Sequence, residues 1–437
     1  MANNYHQLSL KDTFSDCKDM FMDDVPSFFQ LLEQHFDISL FIPQTFYDAF
    51  YQHPGHKREY PLTGFLSVLI LQKIFPIPTD SLLILLLNLC RELRDFCGFS
   101  KVPDAPLFTR FKLGFSDHIE LMFQQMVDYT EPICQQIDSS LAQILTFDTS
   151  GIELYVTENN PKTLNSLIRK LKAYYKDIPD VDPYKMAYGL MPSQAASCPD
   201  AKQQYINGHF CYADKFAILT NGLGIIRHIS FLDDDFKAAH PDTFLGDSSF
   251  DTIETYGMLL NDFHFSKALI PYNLRNESNL KKVGYNEYGY PTCPGDPSLA
   301  IKYCGITHEN GRADRVKWIC PKVHMVRGKY VCDCKNPCST ATKGRTTYTS
   351  ENLDFLMFPG IQRDSEEWDS LYKIRTIVER AIEHLKINMC VAGRKSRNHT
   401  TTKADVFLAG IASQLTVIVA HSMNCPQYIR SLKPLIA

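Results

Sequence analysis

The sequence predicts an α/β fold preceded by a helical region, and three observations support this class. Residues 62–137 repeat apolar side chains at helical spacing, interrupted by short turns that contain Pro and Asp. Later in the chain, two β-favouring segments lead to Asp148 and Asp247. Residues 372–386, with the sequence YKIRTIVERAIEHLK, contain no Pro or Gly and repeat apolar residues at helical spacing, which predicts a further helix.

Length and composition indicate a soluble globular protein of two or three domains. The chain has 437 residues, of which 44% are hydrophobic and 22% charged. Its net charge of −4 argues against a uniformly basic nucleic-acid binder, but the charge is uneven. Residues 1–60 are acidic, whereas residues 311–350 and 371–403 are strongly basic. The last third of the chain is therefore where a phosphate-binding surface is expected.

The apolar runs and the cysteines predict a cytoplasmic protein without a membrane span. The amino terminus lacks the basic and apolar regions of a signal peptide. The apolar runs 65–75, 81–90 and 406–420 are shorter than the roughly 20 residues that cross a bilayer, so we expect buried helices. The 14 cysteines are then expected to be reduced thiols or metal ligands and not disulfides.

The helical region is predicted to hold helices at 62–75, 81–93, 107–115 and 116–137, with Thr79 or Asp80 capping the second. Short helices with tight turns are compatible with a helix-turn-helix module that binds DNA. A helical bundle that only packs fits the pattern equally well.

The first aspartate follows the β-favouring residues 141–147, and residues 149–151 (Thr-Ser-Gly) separate this run from another at 152–156. A carboxylate at the end of a buried strand is held rigidly enough to bind a metal. Asp148 in a hairpin turn is the alternative, and by itself the more common situation. Asp247 follows the predicted hairpin of strands 205–220 and 224–231 and precedes a predicted helix at 252–263.

One face of the helix predicted at 372–386 carries four polar side chains. Tyr372, Arg375, Glu379 and Lys386 fall within roughly 60° of one another on a regular helix. Such a face suits a phosphate chain and a metal ion. A solvated surface with a weak Arg375–Glu379 ion pair is the alternative. Glu383 lies one turn beyond Glu379, and only the spacing distinguishes the two.

The spacing Tyr-x2-Arg-x3-Glu-x6-Lys resembles the signature of a subgroup of DDE transposases of bacterial insertion sequences. The resemblance implies a ribonuclease H-like core in which Asp148, Asp247 and Glu379 are catalytic, and in which Tyr372, Arg375 and Lys386 contact DNA. The segment GDSSFDT resembles the second catalytic motif, although that family more often has Gly and Tyr at the positions of Ser249 and Phe250. The segments RDFCGF and PDAPLFTRFK resemble the domain that binds terminal inverted repeats, with Arg110 and Lys112 as phosphate contacts.

The resemblance also implies a domain order. Residues 1–140 would form the helical DNA-binding region, 141–275 the first part of the catalytic core, 276–360 an insert, and 361–437 the rest of the core. The insert is basic, cysteine-rich and predicted to contain β-structure. It holds a candidate structural zinc site, in which the pair Cys320-x3-His324 would complete a tetrahedral set of ligands. The predicted cysteine ligands are Cys320, Cys332, Cys334 and Cys338.

The implied function is metal-dependent cleavage at transposon ends and strand transfer into target DNA. Three carboxylates suit Mg²⁺ or Mn²⁺, and a homodimer on DNA is expected to bridge two ends. A basic loop adds Arg394, Lys395 and Arg397 as contacts to the DNA backbone. The alternatives are a transposase-derived DNA-binding protein without catalysis and a metal-dependent nuclease of the same fold.

Overall fold

The computed structural model combines helices with one large sheet and several small ones, in agreement with the α/β prediction. It describes residues 27–52, 58–176, 178, 181–206, 209–231, 242–273, 285–286, 288, 290–309, 311, 314–335, 337–341, 344–350, 359–363, 365–393 and 396–436.

Among these residues, seven helices precede the large sheet: α1 Ser27–His35, α2 Gln44–Tyr51, α3 Leu62–Ile74, α4 Asp80–Leu89, α5 Arg91–Phe96, α6 Ala105–Ile137 and α7 Ser139–Ala142. Thr79 is the N-cap of α4, since its hydroxyl accepts a hydrogen bond from the Leu82 N–H. The helices predicted at 107–115 and 116–137 form the single run α6, and Phe115 has non-helical backbone angles where they meet. The predicted boundary is therefore a kink.

The large sheet contains β1 Ile144–Glu153, β2 Gln194–Ala195, β3 Cys198–Ile206, β4 His209–Asn221, β5 Ile226–Phe231, β6 Thr243–Leu245 and β7 Lys267–Leu269. Its order is β2-β3-β4-β1-β6-β7, and β5 also pairs with β4. β4 and β5 form the predicted hairpin, in which the Asn221 side chain accepts hydrogen bonds from the N–H groups of Leu223 and Ile225. β1 is antiparallel to β4 and parallel to β6, so β1 and β6 run in the same direction.

The remaining helices of the described chain are α8 Pro161–Tyr174, α9 Pro183–Leu190, α10 Ile253–Gly257, α11 Glu366–Tyr372, α12 Thr376–Glu383 and α13 His399–Ser422. The small sheets of the predicted insert use β8 Thr292–Cys293, β9 Asp296–Ala300, β10 Lys302–Thr307, β11 Arg315–Ile319, β12 Val323–Val326, β13 Lys329–Cys332 and β14 Thr346–Ser350. The β-structure predicted for the insert is thus present. Trp318 is fully buried there, and its indole N–H donates to the Thr349 hydroxyl.

The helix α13 is the centre of the main hydrophobic core. It packs along α6, where a Cβ on Gly410 would lie 2.8 Å from a ring carbon of Phe123, so only glycine permits this approach. One continuous cluster joins the amino-terminal helices, α13 and the α13-facing side chains of β4 and β5. The predicted boundary at residue 140 therefore marks a change from helix to sheet and does not separate two cores.

The helix α13 is also long and apolar enough to cross a membrane by length and composition. However, 89% of its most apolar 18-residue window is buried inside the protein. The prediction of a buried helix at 406–420 is confirmed.

A buried ionic network joins α13 to the amino-terminal helices. The Asp405 carboxylate accepts from Lys73 Nζ at 2.9 Å and lies 3.4 Å from Lys112 Nζ. Lys112 also contacts Asp80 at 3.1 Å. Because the Lys112 side chain is only 5% exposed, the prediction that it contacts DNA phosphate is wrong: its ammonium faces Asp80 and Asp405 in the interior. Arg110, by contrast, is exposed.

Candidate active site

Asp148 lies in the middle of β1, and the predicted end of the strand at this residue is wrong. β1 continues to Glu153 because β4 pairs with it along its whole length, with Asp148 opposite Ile218 and Gly151 opposite Lys215. Gly151 packs closely enough against β3 that a Cβ there would lie 2.1 Å from the Ile206 side chain. The Thr-Ser-Gly segment is therefore part of a closely packed strand and does not form a turn.

Asp247 lies beside Asp148 because β6 is the parallel neighbour of β1. Leu245 is the last residue of β6 and pairs with Thr146 of β1. Asp247 follows two residues later and therefore lies at the same end of the sheet as Asp148. The Asp247 carboxylate caps the short 3₁₀ turn Ser248–Phe250 by accepting from the Ser249 N–H at 3.0 Å. The predicted placement of an acid between a strand and a helix is confirmed.

Tyr372, Arg375 and Glu379 lie on a helical segment that crosses this end of the sheet. The segment is less regular than predicted: α11 passes through the 3₁₀ turn Lys373–Arg375 into α12, which continues as the π-helical turn His384–Asn388. The opposite face is apolar, and its buried side chains belong to the main core: Val378, Ile382 and Leu385. This amphipathic pattern keeps the charged face toward the carboxylates.

The three carboxylates converge on one guanidinium. Arg375 Nη1 donates to Glu379 Oε1 at 2.6 Å, and Arg375 Nη2 lies 3.7 Å from both Asp148 Oδ2 and Asp247 Oδ2. The Arg375 side chain is 15% exposed, and its buried Nε has no hydrogen-bond partner among the described residues. Side chains more than 200 residues apart in sequence thus form one acidic cluster around a cation.

Lys386 reaches the same face of the sheet. Its Nζ donates to the Ser150 hydroxyl at 3.1 Å, and Ser150 follows Asp148 by two residues, so both point to the same side of β1. Ser150 was not predicted as part of the site, because its contact depends on the packing of a helix more than 200 residues away. The arrangement places an ammonium and a hydroxyl on the face of β1 that carries Asp148, two residues farther along the strand.

Burial shifts the pKa values of several groups at this site. Burial raises the pKa of Asp148, and the nearby carboxylates of Glu379 and Asp247 add to the shift, whereas the Thr149 N–H and Arg375 oppose it. Burial also raises the pKa of the Tyr372 hydroxyl, so Tyr372 is a hydrogen-bond donor at neutral pH. Burial lowers the pKa of Lys386.

A second buried network supports the loop that carries Asp247. Asp251 accepts hydrogen bonds from the Tyr256 hydroxyl at 2.8 Å and the Asn273 N–H at 2.7 Å. Arg363 donates to the Tyr256 hydroxyl at 2.8 Å and is itself 4% exposed. Asp251, the second acid of the GDSSFDT segment, is therefore structural, and no local sequence pattern predicts its Arg363 partner.

The other predicted DNA contacts are only partly described. Arg394 and Lys395 lie outside the described residues. Arg397 is exposed, and its guanidinium carbon lies 5.4 Å from the centre of the Tyr155 ring. The role of these basic residues toward DNA stays a prediction.

The predicted zinc ligands are close together only in part. The thiol of Cys332 forms a hydrogen bond that raises the pKa of Cys334, and Cys320 is buried nearby. Cys338 is exposed, and His324 pairs with Asp333 at 3.3 Å. Within the described part of the chain, these residues form no group of three ligand atoms within 4.8 Å of one another. Zinc binding here stays a prediction.

Comparison with known protein families identifies part of the helical region. Residues 18–113 match the family model described as Transposase domain (DUF772). This segment is therefore similar to a domain of transposases. The match covers a minority of the chain and ends before Asp148, so it does not reach the carboxylate cluster. No curated protein and no solved structure matches the chain.

Proposed function

We propose that the chain is a DDE transposase that cleaves DNA at transposon ends and joins the freed ends to target DNA. The observation that carries the proposal is the convergence of Asp148, Asp247 and Glu379 on Arg375. The match of residues 18–113 to a transposase domain supports it independently, because that segment contains none of these residues. The order of the acids, on a strand, after its parallel neighbour and on a later helix, is the one that a ribonuclease H-like core would require.

The donor set fits Mg²⁺ or Mn²⁺, since it consists of hard carboxylate oxygens and already surrounds a cationic group. Asp148, Asp247 and Glu379 would hold the metal. When bound, such ions supply activation of the attacking oxygen and stabilisation of the leaving oxygen in phosphoryl transfer.

The surrounding side chains would bind and orient the DNA. Lys386, beside Ser150, and Arg375, among the three carboxylates, would supply positive charge for phosphate oxygens. Tyr372 would donate its hydroxyl proton in a hydrogen bond to a phosphate, and its ring is held by stacking on Trp368 at 6.0 Å. Burial raises the pKa of Tyr372, which keeps its hydroxyl protonated as a hydrogen-bond donor.

The proposal is tested with the purified chain and a labelled duplex that carries the element's terminal repeat. We expect nicking at the repeat boundary with Mg²⁺ and none with EDTA. Asp148→Asn, Asp247→Asn and Glu379→Gln are each expected to lower the rate by about 100- to 1,000-fold, since each removes a charge that the reaction needs. DNA binding measured by gel shift should persist in all three variants.

Two other outcomes would replace the proposal with its alternatives. Tight binding without cleavage, unchanged by the three substitutions, would indicate a DNA-binding descendant of a transposase. Metal-dependent cleavage without joining of precut repeat ends to a target plasmid would indicate a nuclease of the same fold. Crosslinking with and without the repeat duplex tests the expected homodimer on DNA.

A further inference from the structure

A second group of metal-ligating side chains lies at the far end of β1. Glu153 is the last residue of β1, and His209 and Cys211 are the first and third residues of β4. Residues two apart on a strand point to the same face. One ligand atom of each of the three residues lies within 4.8 Å of the others, and His209 Nε2 is 3.4 Å from Glu153 Oε2. Within the described residues, this is the one group of three or more ligands that is so compact.

We propose that Glu153, His209 and Cys211 form a binding site for a divalent transition metal, with Zn²⁺ as the natural occupant. Carboxylate oxygen, imidazole nitrogen and thiolate sulfur are the three ligand types that zinc uses, and thiolate excludes Mg²⁺ as the preferred ion. Glu153 and Cys211 together supply two negative charges, which neutralise one divalent cation. On binding, the Cys211 S–H bond breaks, the sulfur bonds to the metal, and the proton passes to solvent.

The site lies apart from the carboxylate cluster along β1, although Lys386 is close enough to Cys211 to oppose the rise in the thiol's pKa that burial and Glu153 cause. Glu153 follows Asp148 by five residues, about 16 Å along an extended strand. The odd spacing also puts the two side chains on opposite faces of the sheet. The inference therefore does not depend on the proposed transposase activity.

The position indicates what the metal does. A bound ion would join the end of β1 to the start of β4, where β4 follows β3 after only two residues. Three protein ligands leave a fourth position for water. A bound ion would therefore join β1 to β4 at this corner of the sheet and keep one coordination position for a water molecule.

Without a metal, the same residues would form an ordinary surface contact. The side chains of His209 and Glu153 are 51% and 46% exposed, and an ion pair at this exposure contributes little to stability. Cys211 is only 3% exposed and would be a small buried hydrophobic residue. If the three residues form only such a contact, we expect them to have no affinity for cobalt or zinc.

Cobalt distinguishes the two accounts, because a Co²⁺–thiolate bond gives a charge-transfer absorption band. The experiment uses the full chain with the substitutions Cys332→Ser and Cys334→Ser, because these remove two thiols of the other candidate zinc site. We expect this chelator-treated protein to show the band with one equivalent of Co²⁺ and to lose it on competition with Zn²⁺. A further Cys211→Ser substitution should abolish the band, whereas Cys198→Ser, at another buried cysteine of the same sheet, should preserve it.

The half-exposed ligands provide variants whose folding is not at risk. Loss of an outer-sphere partner weakens metal binding roughly 10- to 100-fold. Glu153→Gln and His209→Gln each remove a direct ligand, so each should weaken Zn²⁺ binding by more than this. No charge-transfer band in the Cys332→Ser/Cys334→Ser protein would overturn the proposal. A band that survives Cys211→Ser, or Zn²⁺ affinity unchanged in both half-exposed variants, would overturn it as well.

Discussion

At the scale of single residues, Arg375 neutralises the acidic cluster. Its guanidinium contacts all three carboxylates. In EDTA, Arg375→Gln is expected to lower the free energy of unfolding by on the order of 1 kcal/mol, because the three charges then repel one another at a partly exposed site. Added Mn²⁺ should restore the melting temperature by binding in place of the guanidinium.

The matched control for Arg375→Gln is Arg380→Gln, an exposed arginine on the same helical segment. It should change the melting temperature little, with or without Mn²⁺. Equal melting temperatures for the two variants in EDTA would show that the carboxylates do not depend on Arg375.

The raised pKa of Asp148 makes the stability of the folded protein depend on pH. A carboxyl whose pKa is higher in the folded state stabilises that state when protonated, and this contribution is lost as the pH rises through the folded pKa. In EDTA at pH 7, Asp148→Asn should therefore raise the melting temperature, by roughly 1–2 °C. The gain should shrink as the pH falls toward about 4, where the unfolded carboxyl also binds a proton.

Asp117→Asn serves as the control for this pH dependence, since the Asp117 side chain is 90% exposed. Its melting temperature should follow that of the unsubstituted chain at every pH. A lower melting temperature for Asp148→Asn at pH 7 would contradict the assigned effect of burial.

At the scale of elements, the position of α13 depends on the ions that join it to the amino-terminal helices. Asp405→Asn removes the charge that contacts Lys73 and Lys112, whose side chains are 0% and 5% exposed. Breaking a buried pair costs about 3–5 kcal/mol. Asp95→Asn makes the same change in a pair whose side chains are 57% and 58% exposed, and should cost less than about 1 kcal/mol. Both free energies of unfolding are measured by urea unfolding. Equal losses in Asp405→Asn and Asp95→Asn would contradict a buried network.

Local sequence signals predicted individual elements well, and non-local contacts account for the errors. Asn221 and the following glycines specified the β4–β5 hairpin, and Thr79 specified the start of α4. The continuation of β1 through Asp148 could not be predicted, because it requires β4 as a partner 70 residues later. The same holds for Lys112, whose carboxylate partners come from α4 and α13.

At the scale of the whole molecule, the candidate site joins segments that the sequence could only order along the chain. The spacing of Tyr372, Arg375, Glu379 and Lys386 predicted a charged helix face, but not that Arg375 would lie between Asp148 and Asp247. Pairing of β1 with β6 provides that convergence, and β-sheet pairing between distant segments has no local signature. The Glu153, His209 and Cys211 group escaped the sequence analysis for the same reason.

The most direct test of the central claim compares two glutamates one helical turn apart. Glu379 contacts Arg375, whereas Glu383 is exposed and lines a cavity with Arg380 and His384. The measurement is the Mg²⁺-dependent nicking rate of the labelled terminal-repeat duplex for Glu379→Gln and Glu383→Gln. We expect a loss of about 100- to 1,000-fold for Glu379→Gln and a nearly unchanged rate for Glu383→Gln. Full activity in Glu379→Gln, or equal losses in both variants, would contradict the assignment of the acidic cluster as the active site.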